Sequence, residues 1–216
     1  MNKYRVGYID DKPTQYENYA RKLRRRFEDM ELVLLKGCKT KQEFLDKIYE
    51  EQIDVLLIDY KMVQTYGFNG TTLINYINDQ VRDLECFILT AVDTKQIDDG
   101  LVASRNQKSK SIFDTEGDDK EKVEQFDEFI FLLRESADVF RIRREHKVEQ
   151  YRELLKKKKQ GKLGIEEDEF LRLYKVLSSY GMVEKLPDTM LSSEFEEKLD
   201  ALLELGKGIV RKHTKE

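Results

Sequence analysis

The 216-residue sequence predicts an α/β fold with a doubly wound, five-stranded parallel sheet, a long last helix and a small all-α C-terminal module. Short apolar runs such as residues 4–9 and 55–58 are typical of buried strands, and they alternate with segments of helical length. Acidic or hydroxyl residues directly follow these runs. In a parallel sheet all strand ends of this kind meet at one edge, where open α/β folds bind their ligands.

The first strand is followed by a predicted helix and a second strand. Pro13 suits the first turn of this helix, which carries apolar residues at helical spacing as far as Phe27. The second strand is predicted at residues 31–36. Thr40 with Glu43 three positions later has the capping-box pattern, which predicts that the next helix begins there.

Two further strands complete the predicted sheet after the third. The loop with Gly67 and Gly70, which we interpret as turn residues, leads into a helix. Residues 86–89 form the fourth strand, and a weakly marked helix is predicted over residues 94–103. The fifth-strand candidate is the short run of residues 111–113.

The pattern changes at about Asp119. Apolar residues then recur at alternating three- and four-residue spacing, which indicates one helix of roughly forty residues with a heptad-like seam. The seam consists of Phe126, Ile130, Leu133, Ala137, Phe140, Arg144, Val148, Tyr151 and Leu155. Such a seam needs a partner, which is either the C-terminal segment or a second copy of the chain in a coiled-coil homodimer.

Glycines at positions 161 and 164 interrupt this helical pattern. A helix is predicted over residues 165–180, and another after the capping box of Ser193 and Glu196. The predicted division of the chain is therefore a sheet domain at 1–117, a connecting helix at 118–160 and a helical output or interaction module at 161–216.

Charge limits the classes of partner. The chain has 39 Lys and Arg against 43 Asp and Glu, and its net charge of -4 gives no global argument for nucleic-acid binding. A basic run on the long helix could contact phosphates, but interleaved glutamates favour a solvated face. Nucleic acid is therefore an alternative partner that the sequence does not favour.

Cysteine usage and hydropathy point to the cytoplasm. Cys38 and Cys86 are the two cysteines, and both are predicted to be reduced and packed. The N-terminus enters a strand without a signal-peptide pattern, and no apolar stretch approaches the roughly 18 residues that suggest a membrane helix. We expect a cytoplasmic protein without a membrane partner.

Four polar residues at strand ends are the candidate site. Asp10 and Asp11 follow the first strand, Asp59 follows the third and Thr90 follows the fourth. Carboxylates gathered at one sheet edge repel one another unless a cation joins them. Because the ligands are all oxygen, a hard ion such as Mg²⁺ is the expected cofactor.

Four motifs in this order resemble the receiver domain of two-component response regulators. They are Tyr8-Ile9-Asp10-Asp11, Leu57-Ile58-Asp59-Tyr60-Lys61-Met62, Gly67-Phe68-Asn69-Gly70 and Ile88-Leu89-Thr90-Ala91. The resemblance covers the first half of the chain. It implies that Asp59 is the phospho-acceptor, that Thr90 turns its hydroxyl toward the phosphoryl group, and that Mg²⁺ is held by Asp10, Asp11, Asp59 and the backbone carbonyl of Lys61.

The function that the resemblance implies is a signalling or adaptor role in two-component phosphorelay, with a histidine kinase or kinase-like protein as partner. The chain would not be an enzyme, beyond its own phosphorylation from a phosphodonor. Receivers end the fifth strand with a Lys followed by Pro, and the corresponding place after residues 111–113 of this chain holds Asp114 and Thr115. Lys108 and Lys110 precede that run. A pseudo-receiver that binds its partner without phosphoryl transfer is therefore an alternative.

Two other functions fit parts of the sequence. One is a DNA-binding response regulator that uses its C-terminal helices. The other is a metal-dependent phosphatase of the haloacid-dehalogenase type, which also uses a strand-end Asp and a later Thr. That class needs a second Asp two residues after the nucleophile, where this chain has Lys12 and Lys61.

Overall fold

The structure is a computed structural model that describes residues 3–92, 97, 100–115, 120–187 and 190–191. The chain divides into two compact units, Met1–His146 and Lys147–Glu216. The predicted three-part division by role stays a prediction.

A parallel sheet of five strands forms the centre of the first unit. Its strands are β1 (Tyr4–Ile9), β2 (Met30–Leu34), β3 (Val55–Asp59), β4 (Cys86–Thr90) and β5 (Gln107–Ser109). Their order across the sheet is β2-β1-β3-β4-β5, the flavodoxin-like order of doubly wound sheets. The predicted fold class is confirmed.

The described helices are α1 (Tyr16–Arg26), α2 (Lys41–Glu50), α3 (Val63–Tyr66), α4 (Gly70–Gln80), α5 (Lys120–Lys159) and α6 (Glu167–Ser179). α1 begins three residues after Pro13, and the Pro13 carbonyl accepts a hydrogen bond from the backbone N–H of Tyr16. The N-cap predicted at Thr40 is confirmed, because its hydroxyl accepts the backbone N–H of Glu43 at 3.2 Å, while the Glu43 carboxylate accepts the backbone N–H of Lys39, one residue before the cap.

The prediction of the fifth strand at residues 111–113 is wrong. β5 lies four residues earlier, and its Leu89–Lys108 pairing with β4 fixes the register. Lys110–Phe113 form a 3₁₀ turn that places the Phe113 side chain in the core. β5 is an edge strand with mainly half-exposed side chains, so it carries no apolar run, whereas the turn after it covers the core and is apolar.

One face of the sheet packs against α1 and the first part of α5. The shared core contains Val6, Tyr8, Tyr19, Leu23, Met30, Leu32, Val55, Leu57, Phe87, Leu89, Phe113, Phe126, Phe129, Ile130, Leu133 and Ala137. Alternate strand residues such as Ile9 and Ile58 point to the opposite face and are also fully buried. Burial on both faces explains why the inner strands are almost continuously apolar.

α5 is the predicted forty-residue helix, and its seam is covered by the chain itself. As far as Ala137 the seam lies in the core of the sheet. In the second unit Val148, Tyr151 and Leu154 pack with α6, where the ring of Tyr151 stacks on Phe170 at 5.5 Å. The C-terminal segment is thus one of the partners of the seam, and a homodimer through α5 would need a different face of the helix.

Several predictions fall partly or wholly outside the described residues. One is the weakly marked helix at 94–103, of which residues 97 and 100–103 are described and are not helical. Another is the capping box of Ser193 and Glu196. Among the residues that are described, no helix has both the length and the apolar character needed to cross a membrane.

Candidate functional site

The residues predicted to form a site line one pocket at the carboxyl end of the sheet. Asp10 follows β1 directly, Asp59 ends β3 and Thr90 ends β4. The pocket has a volume of about 640 Å³, and its wall also contains Asp11, Lys61, Asn69, Ala91 and Lys110. The parallel strands therefore bring together side chains that are up to 100 residues apart in the sequence.

The three carboxylates are close enough to share a cation. Asp10, Asp11 and Asp59 each have a carboxylate oxygen within 4.8 Å of the others. Asp10 and Asp59 are both only 6% exposed, and Asp11 is half-buried. A set of oxygen donors with this charge fits Mg²⁺. Their role as metal ligands stays a prediction, as does that of the Lys61 carbonyl.

Lys110 is the site residue that the misplaced fifth strand concealed. Its Nζ lies 2.7 Å from Oδ2 of Asp10 and 2.8 Å from Oδ1 of Asp59. It comes directly after β5, the place that the resemblance implies for a receiver lysine. The expectation that Asp114 occupies this place is therefore wrong, since Asp114 follows the 3₁₀ turn and is exposed. A search for a strand-end lysine, rather than for an apolar run, would have found it.

Burial and pairing shift the pKa values of the two buried carboxylates in opposite directions. Burial acts to raise the pKa of Asp10, but hydrogen bonds from Lys110, Tyr8 and a backbone N–H outweigh it and lower that pKa. Burial raises the pKa of Asp59, and Lys110 only partly offsets this effect. Burial acts to lower the pKa of Lys110, but its two carboxylate partners raise it overall. Asp10 and Lys110 thus form a charged pair beside a less acidic Asp59.

Backbone and hydroxyl groups hold the outer parts of the pocket. The N–H of Lys12 donates to Oδ1 of Asp10 at 2.8 Å, and the Thr65 hydroxyl donates to Asp11 at 2.9 Å. The Thr90 hydroxyl is buried and accepts the N–H of Val92 at 3.1 Å. A hydroxyl that accepts in this way keeps its own proton to donate.

Gly70 has a role beyond the turn predicted for it. It begins α4 and packs against β3, so a Cβ at this position would overlap the carbonyl oxygen of Asp59. Only glycine permits this approach. This contact positions the backbone of the predicted phospho-acceptor, and the interpretation of Gly70 as a turn residue did not include it. Gly67, with φ of +77°, is the turn residue that was predicted.

Much of the basic run on α5 is paired within the chain. The central contact is Asp54, which is 1% exposed and lies 2.6 Å from Arg141 and 3.8 Å from Arg144. Further pairs are Arg143–Asp83, Lys157–Glu166 and Lys158–Glu167. These side chains stabilise the fold, which leaves fewer cations for the nucleic-acid hypothesis. Sequence inspection missed Asp54 because its ion-pair partners lie 87 or more residues away.

Solved structures that are similar to this chain include the following two. One is a CheY-like response regulator receiver domain protein from Methanospirillum hungatei JF-1, 17% identical, with a TM-score of 0.42; the match covers 62% of this chain and 98% of that one. The other is the RcsB response regulator of Salmonella typhimurium, 16% identical, with a TM-score of 0.47; the match covers 88% of this chain and 97% of that one. No protein-family model and no curated protein matches the sequence.

Strand order decides the fold at these low identities. The first half of the chain has the flavodoxin-like doubly wound fold. In this fold the acidic pocket lies beside the β1–β3 switch point, where doubly wound sheets of this order bind their ligands.

Proposed function

We propose that this protein is a response-regulator-like signalling or adaptor protein in which Asp59 accepts a phosphoryl group in the presence of Mg²⁺. The observation that carries the proposal is the position of Lys110, whose Nζ bridges Asp10 and Asp59. A pocket of carboxylates repels an incoming phosphate, and an ammonium among them offsets that repulsion. The pseudo-receiver alternative depends on the absence of a Lys at the end of the fifth strand, and the position of Lys110 argues against it.

The side chains fit phosphoryl transfer to a carboxylate. Bound Mg²⁺, held by Asp10, Asp11, Asp59 and the Lys61 carbonyl, would neutralise charge on the phosphoryl oxygens. A carboxylate oxygen of Asp59 forms a bond to phosphorus while the bond from phosphorus to the donor breaks. Lys110 is within hydrogen-bond reach of Asp59, so its ammonium can donate a hydrogen bond to a phosphoryl group carried by Asp59. Thr90 can donate its hydroxyl to the same group.

The partner in this proposal is a histidine kinase or a kinase-like protein that supplies the phosphoryl group. The chain itself catalyses at most its own phosphorylation. The output would be protein–protein interaction by the helical C-terminal part, through a shift between two populated arrangements. Support for these steps comes from the fold and the pocket.

A phosphorylation assay tests the proposal directly. The full chain is incubated with Mg²⁺ and acetyl phosphate and examined by mass spectrometry for a single hydroxylamine-labile phosphoryl adduct. We expect the adduct in the wild type and in the control Asp114→Asn, whose carboxylate is exposed and outside the pocket. It should be absent in Asp59→Asn.

Each outcome separates the candidate functions. Wild type that binds Mg²⁺ but forms no adduct would refute the phospho-acceptor role and favour the pseudo-receiver. Steady release of phosphate from a generic ester, lost in Asp10→Asn, would instead indicate the metal-dependent phosphatase.

A further inference from the structure

A buried tyrosine contacts the acidic pocket from the core side. Tyr8 lies two residues before Asp10 on β1, so both side chains point to the same side of the strand. Tyr8 is 1% exposed, and its hydroxyl donates a hydrogen bond to Oδ2 of Asp10. Tyr8 is the first residue of the Tyr8-Ile9-Asp10-Asp11 motif, but its hydroxyl has no role in the proposed phosphoryl transfer.

The ring of Tyr8 is held by other aromatic rings. It stacks on Tyr16 with centroids 6.3 Å apart and meets Tyr19 edge-on at 6.0 Å. Tyr19 in turn stacks on Phe113 at 4.1 Å. Because these rings belong to the close-packed core, the hydroxyl of Tyr8 occupies one fixed position.

The hydrogen bonds of Asp10 leave a defined place for a cation. A carboxylate has about four lone-pair sites, two on each oxygen. Oδ2 accepts from both Tyr8 and Lys110, and Oδ1 accepts the backbone N–H of Lys12. The remaining lone pair is on Oδ1. Tyr8 therefore determines how the carboxylate is turned and which oxygen it can offer.

We propose that Tyr8 is a positioning residue that fixes the Asp10 carboxylate for Mg²⁺. Partners of this kind orient metal-binding side chains, and their loss typically weakens metal binding by about 10- to 100-fold. The inference rests on the proposed function only in requiring that the pocket bind Mg²⁺. The competing explanation is that a buried tyrosine hydroxyl simply needs an acceptor and that Asp10 is nearest.

Calorimetric titration of the full chain with Mg²⁺ tests this inference. Tyr8→Phe keeps the ring and removes the hydroxyl, and we expect its Kd for Mg²⁺ to rise about 10-fold or more. The matched control is Tyr16→Phe, which removes a hydroxyl bonded to the Leu32 carbonyl at 3.0 Å and should leave the Kd unchanged. Circular dichroism of both variants checks that the fold is intact.

A second readout uses the phosphorylation rate. In Tyr8→Phe the Mg²⁺ concentration for half-maximal adduct formation should rise, while the rate at saturating Mg²⁺ should approach that of the wild type. A purely structural role of Tyr8 would not produce this difference. A loss of the maximal rate without a change in the Mg²⁺ requirement would therefore overturn the inference.

The results also separate this inference from the proposed function. Equal or tighter Mg²⁺ binding by Tyr8→Phe overturns the role of Tyr8, as does a wild type that binds no Mg²⁺. Weaker binding by Tyr8→Phe without any Asp59 adduct in the wild type supports the role of Tyr8 and refutes phosphoryl transfer. If Tyr8→Phe does not fold, NMR of wild type labelled at the tyrosine ring carbons replaces it, and the absence of any tyrosine shift on Mg²⁺ addition overturns the inference.

Discussion

Replacing Lys110 by Met should strongly destabilise the metal-free protein. The substitution keeps an apolar stem and removes an ammonium that lies within 2.8 Å of two buried carboxylates. A hydrogen bond to a charged group contributes about 1.5–3 kcal/mol, so the two bonds together contribute about 3–6 kcal/mol. Asp59 can relieve part of the resulting repulsion by taking up a proton, since its pKa is already raised. The expected net loss is about 3 kcal/mol, which is the low end for breaking a buried ion pair.

Mg²⁺ should reverse most of this loss. With Lys110 removed, the carboxylates hold no internal cation, so Mg²⁺ should bind more tightly than in the wild type. A ligand at 100 times its Kd stabilises the folded state by about 2.7 kcal/mol. Mg²⁺ should therefore stabilise Lys110→Met more than it stabilises the wild type.

Urea unfolding followed by circular dichroism, in EDTA and in excess Mg²⁺, measures both effects. Lys108→Met is the matched control, because Lys108 lies on β5, two residues before Lys110, and has no ion pair among the described residues. It should change the free energy of unfolding by less than about 0.5 kcal/mol. If Lys110→Met loses no more stability in EDTA than Lys108→Met does, the role given to Lys110 as the internal counterion is refuted.

Three further predictions concern the stability and burial of the fold. Gly70→Ala should cost about 2–3 kcal/mol in urea unfolding, because its Cβ would overlap the Asp59 carbonyl. Asp54→Ala should cost about 3 kcal/mol in the same assay, because it removes a buried carboxylate and leaves two half-buried guanidinium groups without their partner. Cys38 and Cys86 should react with a thiol reagent only in urea, since both are buried and burial raises both thiol pKa values.

Each of these predictions has a comparison that can contradict it. Gly37→Ala, at φ of +83° in open space, should cost only about 1 kcal/mol of backbone strain, and an equal cost at Gly70 would exclude the overlap. Glu50→Ala removes an exposed pair with Lys47 and should cost about 0.5 kcal/mol or less. A cost as small for Asp54→Ala would show that its ion pairs are weak. Rapid labelling of either cysteine in native buffer would contradict the burial.

The inner part of the fold could be predicted because burial leaves a clear pattern. β1, β3 and β4 are covered on both faces, so their sequences are continuous apolar runs and their boundaries fall within one residue of the prediction. The long helix was predictable for a similar reason, since its buried side chains repeat at helical spacing over forty residues. The strand ends then determined which carboxylates meet.

The parts that could not be predicted depend on contacts rather than on patterns. β5 is short, polar and at a sheet edge, so its sequence does not indicate a strand. The fifth strand was predicted instead at the apolar Ile112-Phe113 pair, which belongs to the following turn. That error of four residues hid Lys110. The contacts of Asp54 and Gly70 were not predicted for another reason. The ion-pair partner of Asp54 is distant in the sequence, and Gly70 approaches a backbone carbonyl, a contact that involves no side chain.

The polar fifth strand also has a consequence for how molecules of this protein behave toward one another. A strand at a sheet edge offers unpaired backbone groups that another chain can add to, and proteins limit such edge-to-edge aggregation with short, lysine-bearing edge strands. β5 has three residues, Gln107, Lys108 and Ser109, and is bounded by 3₁₀ turns on both sides. The polar side chains of β5 make the strand difficult to predict from the sequence, and they also make this edge a poor template for fibril-like association.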